Sequence, residues 1–409
     1  MVSGRKRGCL ELAEIRDAQS HAVNMLIVSS LVISSIATYP NYFATSLLLK
    51  DISESFASTV GVLGLIQSAA SMVTLVFALI LSALSLKLNA RTLLLLGLGS
   101  LVASSLGCGL AQSVTMMSVF YALTGVGAAV IMPMGFTLVS QHIAENNRSK
   151  VIGWFIAGTT FSGIIGLPIV GFIADRYGWR MAYLGYALPL AVLGLVLSFA
   201  TIPESHEKGA QGEAKGKMLD NYWLILRNRS ACSCLVTAVL VMTAWSAADL
   251  YSAAFYRDRF LLSLTATSLL LTTTSLFFTV SSTFSGRFVE RFGRKPLAVG
   301  AIFIAGLMVV SFTAVPNLYA SMASRILASI FVSLFYNAKS NVTLEQVPQL
   351  RGTMMSLDQA ATGLGGSIGA ALGGAVFTLY GYWAIGPIHG LIMVLASLIF
   401  KALVIDKAK

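Results

Sequence analysis

The side chains best placed to do chemistry are the few ionisable groups embedded in long apolar stretches. Asp249 ends Ala244-Trp245-Ser246-Ala247-Ala248, Arg325 interrupts Met322-Ala323-Ser324-Arg325-Ile326-Leu327, and Asp358 follows Met354-Met355-Ser356-Leu357. Lys339 and His389 complete the set. A charge at the middle of a bilayer costs at least about 2.5–3.5 kcal/mol on insertion scales, so such residues point to proton exchange, ion pairing or ligand binding. A carboxylate shielded from water can carry a proton. A fixed cation favours an anionic ligand.

Depth relates two of them. Counting inward from Arg257, Asp249 lies about 12 Å below one membrane face at 1.5 Å per residue. Counting from Pro316, Arg325 lies about 13.5 Å below the same face by the same rise. They either pair or are solvated separately by a water-filled cavity. Asp358 stands about two turns into its own span and reads equally as a gate carboxylate or a proton site. Lys339, at the inner end of a span, is expected to snorkel to the surface. His389 reads as a satisfied packing residue. The first half of the chain offers only neutral polar and aromatic groups inside its spans: Tyr39, Asn41, Tyr42, Gln67, Tyr121 and Trp154.

Enzyme chemistry has no footing in these patterns. The chain holds no H-E-x-x-H, no nucleophile elbow and no Walker loop. Cys232-x-Cys234 has no His or further Cys close by, and Cys9 and Cys108 stand apart, so the four cysteines read as small residues rather than a metal site. No cofactor is expected.

The elements that must position these groups follow from composition. Of 409 residues, 56% are hydrophobic and 11% charged, and mean hydropathy is +0.79. That is an all-α polytopic membrane protein. Twelve apolar runs read as spans, at about 22–48, 58–84, 92–112, 114–139, 150–174, 181–202, 231–256, 263–285, 297–314, 316–338, 353–378 and 382–405. The first run is too long for the core of a cleavable signal and reads as span 1. The polar stretch 204–229 is a linker, dividing a six-helix bundle over 22–203 from a second over 230–405. Tails cover 1–21 and 406–409. Tyr222-Trp223-Leu224-Ile225-Leu226 is expected to lie on the membrane surface.

The net charge of +11 is not a nucleic-acid footprint, because the basic residues fall in alternate loops. Of 28 Lys and Arg, 22 fall on the side of the termini and linker and five on the other (Lys50, Arg176, Arg180, Arg257, Arg259), leaving Arg325 alone within a span. The excess places both termini and the linker in the cytoplasm.

The two halves look like copies. A shift of 203 residues carries Arg148 onto Arg351, Gly163 onto Gly366, Gly166 onto Gly369 and Gly171 onto Gly374. It also carries Tyr177-Gly178 onto Tyr380-Gly381 and Arg91 onto Arg294. Recurring glycines in a helix cost stability unless another helix approaches closely, so spans 5 and 11 are expected to be packing helices.

Between spans 8 and 9 runs Gly286-Arg287-Phe288-Val289-Glu290-Arg291-Phe292-Gly293-Arg294-Lys295. Gly286 leaves room for a neighbouring helix, and Glu290 suits the amides of a helix N-terminus. Gly293 suits a turn with positive φ. Arg294 and Lys295 are expected in water or against acidic headgroups. The segment resembles the loop motif of the major facilitator superfamily, G-x-x-x-(D/E)-R-x-G-R-(R/K). That resemblance assigns a gating role to Gly286, Glu290, Arg291, Gly293 and Arg294, with the loop stabilising an outward-open state. The counterpart, Ala83 to Arg91, lacks both glycines and the acid, so a symmetrical latch is not implied.

Gly163, Pro168 and Gly171, with Gly166, resemble the antiporter motif of the drug:proton branch, G-x-x-x-G-P-x-x-G-G, although Leu167 and Phe172 depart from it. A Pro kink with small packing residues explains the same pattern. Gly178-Trp179-Arg180 and Arg351-Gly352 resemble turns of that branch. Its usual helix 4 Arg is Tyr121 here, four residues before Gly125, while Arg325 stands near the equivalent place in the repeat.

The resemblance implies two six-helix bundles related by a pseudo-two-fold repeat and a secondary transporter working by alternating access. Its substrate would be a small organic solute at the bundle interface. Proton-coupled efflux is the leading expectation; uptake or exchange of a small anionic metabolite held by Arg325 is the alternative. The cavity is expected to involve Tyr39, Asn41, Gln67, Tyr121, Trp245, Asp249, Arg325, Tyr336 and Asn337, with Asp249 and Asp358 for protons. The expected partners are substrate, protons and membrane lipids. The chain is expected to act as a monomer in a prokaryotic cytoplasmic membrane.

Overall fold

The computed structural model describes residues 25–85, 87–143, 145–204 and 218–406. The tail 1–21, Cys9, most of the linker and residues 407–409 lie outside the described residues.

Twelve helices are long and apolar enough to cross a membrane. In the first half these are α1 (Met25–Ser55), α2 (Val60–Leu81), α3 (Ala90–Gly109), α4 (Val114–His142), α5 (Lys150–Tyr177) and α6 (Trp179–Thr201). The second half has α7 (Arg229–Phe260), α8 (Leu264–Phe292), α9 (Arg294–Ala314), α10 (Leu318–Leu344), α11 (Thr353–Tyr380) and α12 (Tyr382–Leu403). A helix satisfies its own backbone groups, which hydrocarbon cannot do. Polar caps mark where several helices begin: Asn89 accepts from Thr92 N at 2.9 Å, Asn228 from Ser230 N at 3.0 Å and Asn317 from Tyr319 N at 2.9 Å. A short helix, Met218–Arg227, precedes α7; its Ile225 is buried while Trp223, Leu224 and Leu226 are exposed.

The repeat holds in three dimensions. Gly178 and Gly381, which end α5 and α11, both take positive φ, +84° and +80°. The contacts between halves also repeat. A Cβ on Gly374 of α11 would sit 2.5 Å from Gly61 O of α2. One on Gly171 of α5 would sit 3.5 Å from Leu264 O of α8. The 203-residue shift carries Gly171 onto Gly374 and Gly61 onto Leu264, so α2–α11 and α5–α8 are copies of one contact.

The end of the bundle near the linker is called the linker end, and the opposite one the far end. At the far end the halves are tied together. Lys50 pairs with Asp258, and Arg257 with Asp51, joining α1 to α7. Thr265 donates to Asp175 at 2.8 Å, joining α8 to α5. Toward the linker end Trp154 and Ile156 of α5 and Phe284 and Phe288 of α8 are exposed.

The α8–α9 hairpin turns at Gly293, φ +81°, as its sequence requires. Two of its expected contacts are not made. Nothing lies within 4 Å of where a Cβ on Gly286 would be, and Glu290 is exposed with no partner among the described residues. Arg294 is not simply solvated: it pairs with Glu345 at the end of α10, at 2.6 Å. The side chains of Ala83 and Arg351 lie outside what is described.

Candidate functional site

A cavity of about 360 Å³ lies between the halves. Its first wall comes from a break in α1. Pro40 has no N–H to donate and crowds the preceding turn, so the helix stops at Thr38–Tyr39 and restarts with Pro40 in its first turn. The break turns Tyr39, Tyr42 and Phe43 toward the cavity. Gln67 of α2 and Thr159 and Thr160 of α5 complete that side.

The facing wall comes from α7, α8 and α11. Met242, Trp245 and Asp249 stand at helical spacing on α7, and Thr274, Ser275, Phe278 and Thr279 line α8. Glycines allow α7 to approach α11: a Cβ on Gly365 would meet Val239 O at 2.5 Å, and one on Gly373 would meet the Tyr251 ring at 2.7 Å. The packing role expected of α11 is therefore seen directly. On α5, Gly163 faces the Phe43 ring, Gly166 faces Tyr186 of α6, and Gly171 faces Ser268 of α8. Pro168 lies inside α5.

Among the described residues, Asp249 is the charged one lining the cavity. Arg325 Nη2 donates to its Oδ1, and Tyr42 donates to its Oδ2 at 2.9 Å. The carboxylate thus joins a cation of its own half to a hydroxyl of the other. Arg325 is fully buried, with its guanidinium 4.5 Å from the Trp245 ring centroid and 5.8 Å from that of Phe312. Its Nε and Nη1 have no partner among the described residues. A single well-placed pair with flat aromatic neighbours suits guanidinium, which is weakly hydrated and stacks readily.

Several residues expected at the cavity lie elsewhere. Asn41 points into the first bundle, donating to Ser104 at 3.2 Å and Thr124 at 3.3 Å and accepting from Ser105 at 2.9 Å. Tyr121 is fully buried behind the wall, its hydroxyl on Gln67. Arg325 stands behind Asp249 and Trp245 rather than on the surface. Tyr336 reaches the Met242 sulfur at 3.0 Å, and Asn337 ties α10 to Ser282 of α8 at 3.0 Å. Each has found a partner inside its own half, which an unpaired polar group in an apolar bundle needs. Trp154 is exposed and outside the cavity. Tyr39, Gln67, Trp245 and Asp249 do line it. The α8 hydroxyls that line the cavity, Thr274, Ser275 and Thr279, are not among the residues expected there; their signal is Thr272-Thr273-Thr274-Ser275, four polar residues in a row within a span.

A second ion pair lies deeper. Lys339 Nζ reaches both carboxylate oxygens of Asp358, at 2.6 Å and 2.8 Å, with side chains 1% and 7% exposed. Lys339 therefore does not snorkel, because Asp358 on α11 offers it a counter-charge inside the bundle. Asp358 is in turn absent from the cavity wall. His389 is buried, its Nδ1 2.8 Å from Ile385 O, and Cys108 and Cys234 are buried free thiols.

Residues 31–263 and 250–409 each match the model of the Major Facilitator Superfamily. The chain belongs to the major facilitator superfamily. Its curated relatives include the uncharacterised MFS-type transporter YwfA of Bacillus subtilis (strain 168), 23% identical over 376 residues, covering 92% of this chain and 91% of the relative. Among solved structures, a D-xylose-proton symporter superposes with a TM-score of 0.78 at 14% identity, covering 94% of this chain and 99% of the other. A bacterial homologue of the human lysosomal transporter Spinster, inward-facing and occupied, superposes with a TM-score of 0.76 at 14% identity, covering 92% and 96%. The fold class is thereby established, and this facilitator is a membrane transporter, not an enzyme. It takes a small-molecule substrate, as the superfamily does.

Proposed function

We propose that this facilitator is a proton-coupled antiporter that exports small organic solutes from the cytoplasm, with Asp249 as the proton carrier. The observation that supports this reading is the position of Asp249. It lines the cavity, is bound by Arg325 of its own half, and accepts from Tyr42 of the other. A proton on Asp249 weakens both contacts. A basic or hydrogen-bonding solute seated against Trp245 and Tyr39 competes with the proton for the same carboxylate. Two ligands that exclude one another at one site produce exchange when the site faces each side in turn.

The charge bias supports a cytoplasmic linker end, and with it an outer far end closed by the Lys50–Asp258 and Arg257–Asp51 pairs and an inward-facing arrangement. The domain limits, 22–203 and 230–405, are those of the two rocking units. Asp358 is paired with Lys339 away from the cavity and is assigned to the inner part of the second bundle rather than to proton uptake. The test is transport in proteoliposomes with an imposed pH gradient. Asp249→Asn should abolish gradient-driven accumulation and weaken basic solutes, while neutral hydrogen-bonding solutes still exchange. Undiminished accumulation by that variant would sink the carboxylate model.

One observation supports a second reading. Arg325 is buried with two donors that have no partner among the described residues, so protonating Asp249 leaves a cation seeking an anion. Proton and anion would then bind together, which gives symport of an anionic metabolite. The charge of the solutes that stabilise the purified protein in a thermal-shift screen separates the two readings.

A further inference from the structure

Outside the central cavity, a groove runs along α8 at the linker end, with a volume of about 500 Å³. Phe277, Phe284 and Phe288 line it with Ile330 of α10, and Arg287 and Arg291 form its outer rim. At 100° per residue the three Phe side chains form one stripe, turned about 130° from the α8 residues that line the cavity. The groove therefore lies on the opposite side of the helix from the cavity. Its phenylalanines are 42–44% exposed, on a helix that crosses the membrane.

Depth and charge say what fills it. Phe277 lies 15 residues before the end of α8, about 22 Å along the helix, so the groove reaches from the membrane surface to near its middle. The arginines are in the last two turns, at headgroup level. Arg287 stacks on Phe284 at 5.3 Å and Arg291 on Phe292 at 5.5 Å, with neither in an ion pair among the described residues. This distinguishes them from Arg294, which Glu345 already neutralises.

We propose that this groove binds one anionic phospholipid of the linker-end leaflet. The phosphate sits between Arg287 and Arg291, and an acyl chain lies along Phe288, Phe284 and Phe277. A bidentate guanidinium suits a phosphate, and attraction to an acidic lipid surface adds to it. A soluble phosphate lacks the chain that covers the phenylalanines. A zwitterionic lipid covers them but brings a balancing cation to the arginines. Only an acidic lipid satisfies both ends of the groove.

The test uses full-length protein delipidated in a neutral detergent, with thermal unfolding followed during titration of phosphatidylglycerol, phosphatidylcholine or glycerol 3-phosphate. Phosphatidylglycerol should stabilise the wild type. In the double variant Arg287→Gln/Arg291→Gln the half-maximal concentration should rise about tenfold or more, given the size of a basic residue's attraction to an acidic lipid surface. Arg287→Lys/Arg291→Lys, which keeps the charge and loses the bidentate fork, should fall between the wild type and the double Gln variant, and Arg176→Gln at the far end should leave the response unchanged. Equal stabilisation by phosphatidylcholine, an equal effect of glycerol 3-phosphate, or an unaltered response of the double Gln variant would each overturn the assignment. The readout is independent of transport, so its failure leaves the antiport reading standing, and the reverse.

Discussion

Tyr42 donates to Asp249 Oδ2 at 2.9 Å across the boundary between the halves, while Arg325 holds the other oxygen from within the second half. The same two helices, α1 and α7, are tied again at the far end by Lys50–Asp258 and Asp51–Arg257. The cavity carboxylate and the far-end closure are therefore carried on one helix pair.

Tyr42→Phe keeps the ring against Phe43 and removes only the hydroxyl bond to Asp249. A hydrogen bond to a charged group contributes about 1.5–3 kcal/mol. Gradient-driven transport should fall about tenfold or more while solute exchange changes less. Equal losses in both assays would show that Tyr42 contributes to binding rather than to coupling.

The Asp249–Arg325 pair should respond asymmetrically. Arg325 is fully buried, whereas the Asp249 side chain is 29% exposed and keeps Tyr42 as a donor. Asp249→Asn strands a buried cation, for which losing a partner costs about 3–5 kcal/mol. Arg325→Gln should cost less, because water reaches the remaining carboxylate. Thermal unfolding in detergent should rank the variants in that order, with Asp249→Asn/Arg325→Gln better folded than Asp249→Asn alone. Strictly additive losses would mean the two charges act independently.

Lys339 and Asp358 are predicted to matter to each other and not to the proton. Asp358→Asn or Lys339→Met alone should lower the unfolding temperature, since each leaves a buried charge without a partner. Lys339→Met with Asp358→Leu should recover stability and retain pH-driven transport. A stable double variant that transports but no longer responds to pH would move the proton site to Asp358.

The two ion pairs of the far-end closure are partly exposed, so each contributes modestly, about 0.2–1 kcal/mol. Asp51→Arg places a cation beside Arg257 and should shift the population toward far-end opening. Asp51→Arg with Arg257→Asp should restore closure. Spin-label distances between the far ends of α1 and α7 report this directly, and unchanged distances in the single reversal would remove the clamp from the cycle.

The sequence by itself determined the membrane class, the twelve spans, the repeat and the loop motif. These are one-dimensional signals. Hydropathy is summed along the chain, and the 203-residue offset is a property of position alone. The depth of Asp249 and Arg325 was legible for the same reason, because rise per residue converts position into distance. What remained hidden was rotation and partnership. Whether Tyr39 or Asn41 faces the cavity depends on how the chain restarts after the break at Pro40. Whether Tyr121 or Gln67 does so depends on how α2 and α4 are turned against each other. Lys339 looked free to reach the surface until a carboxylate 19 residues away was brought against it on the next helix. In an apolar bundle every polar group takes the nearest available partner, and which partner is nearest is decided only when the helices have packed.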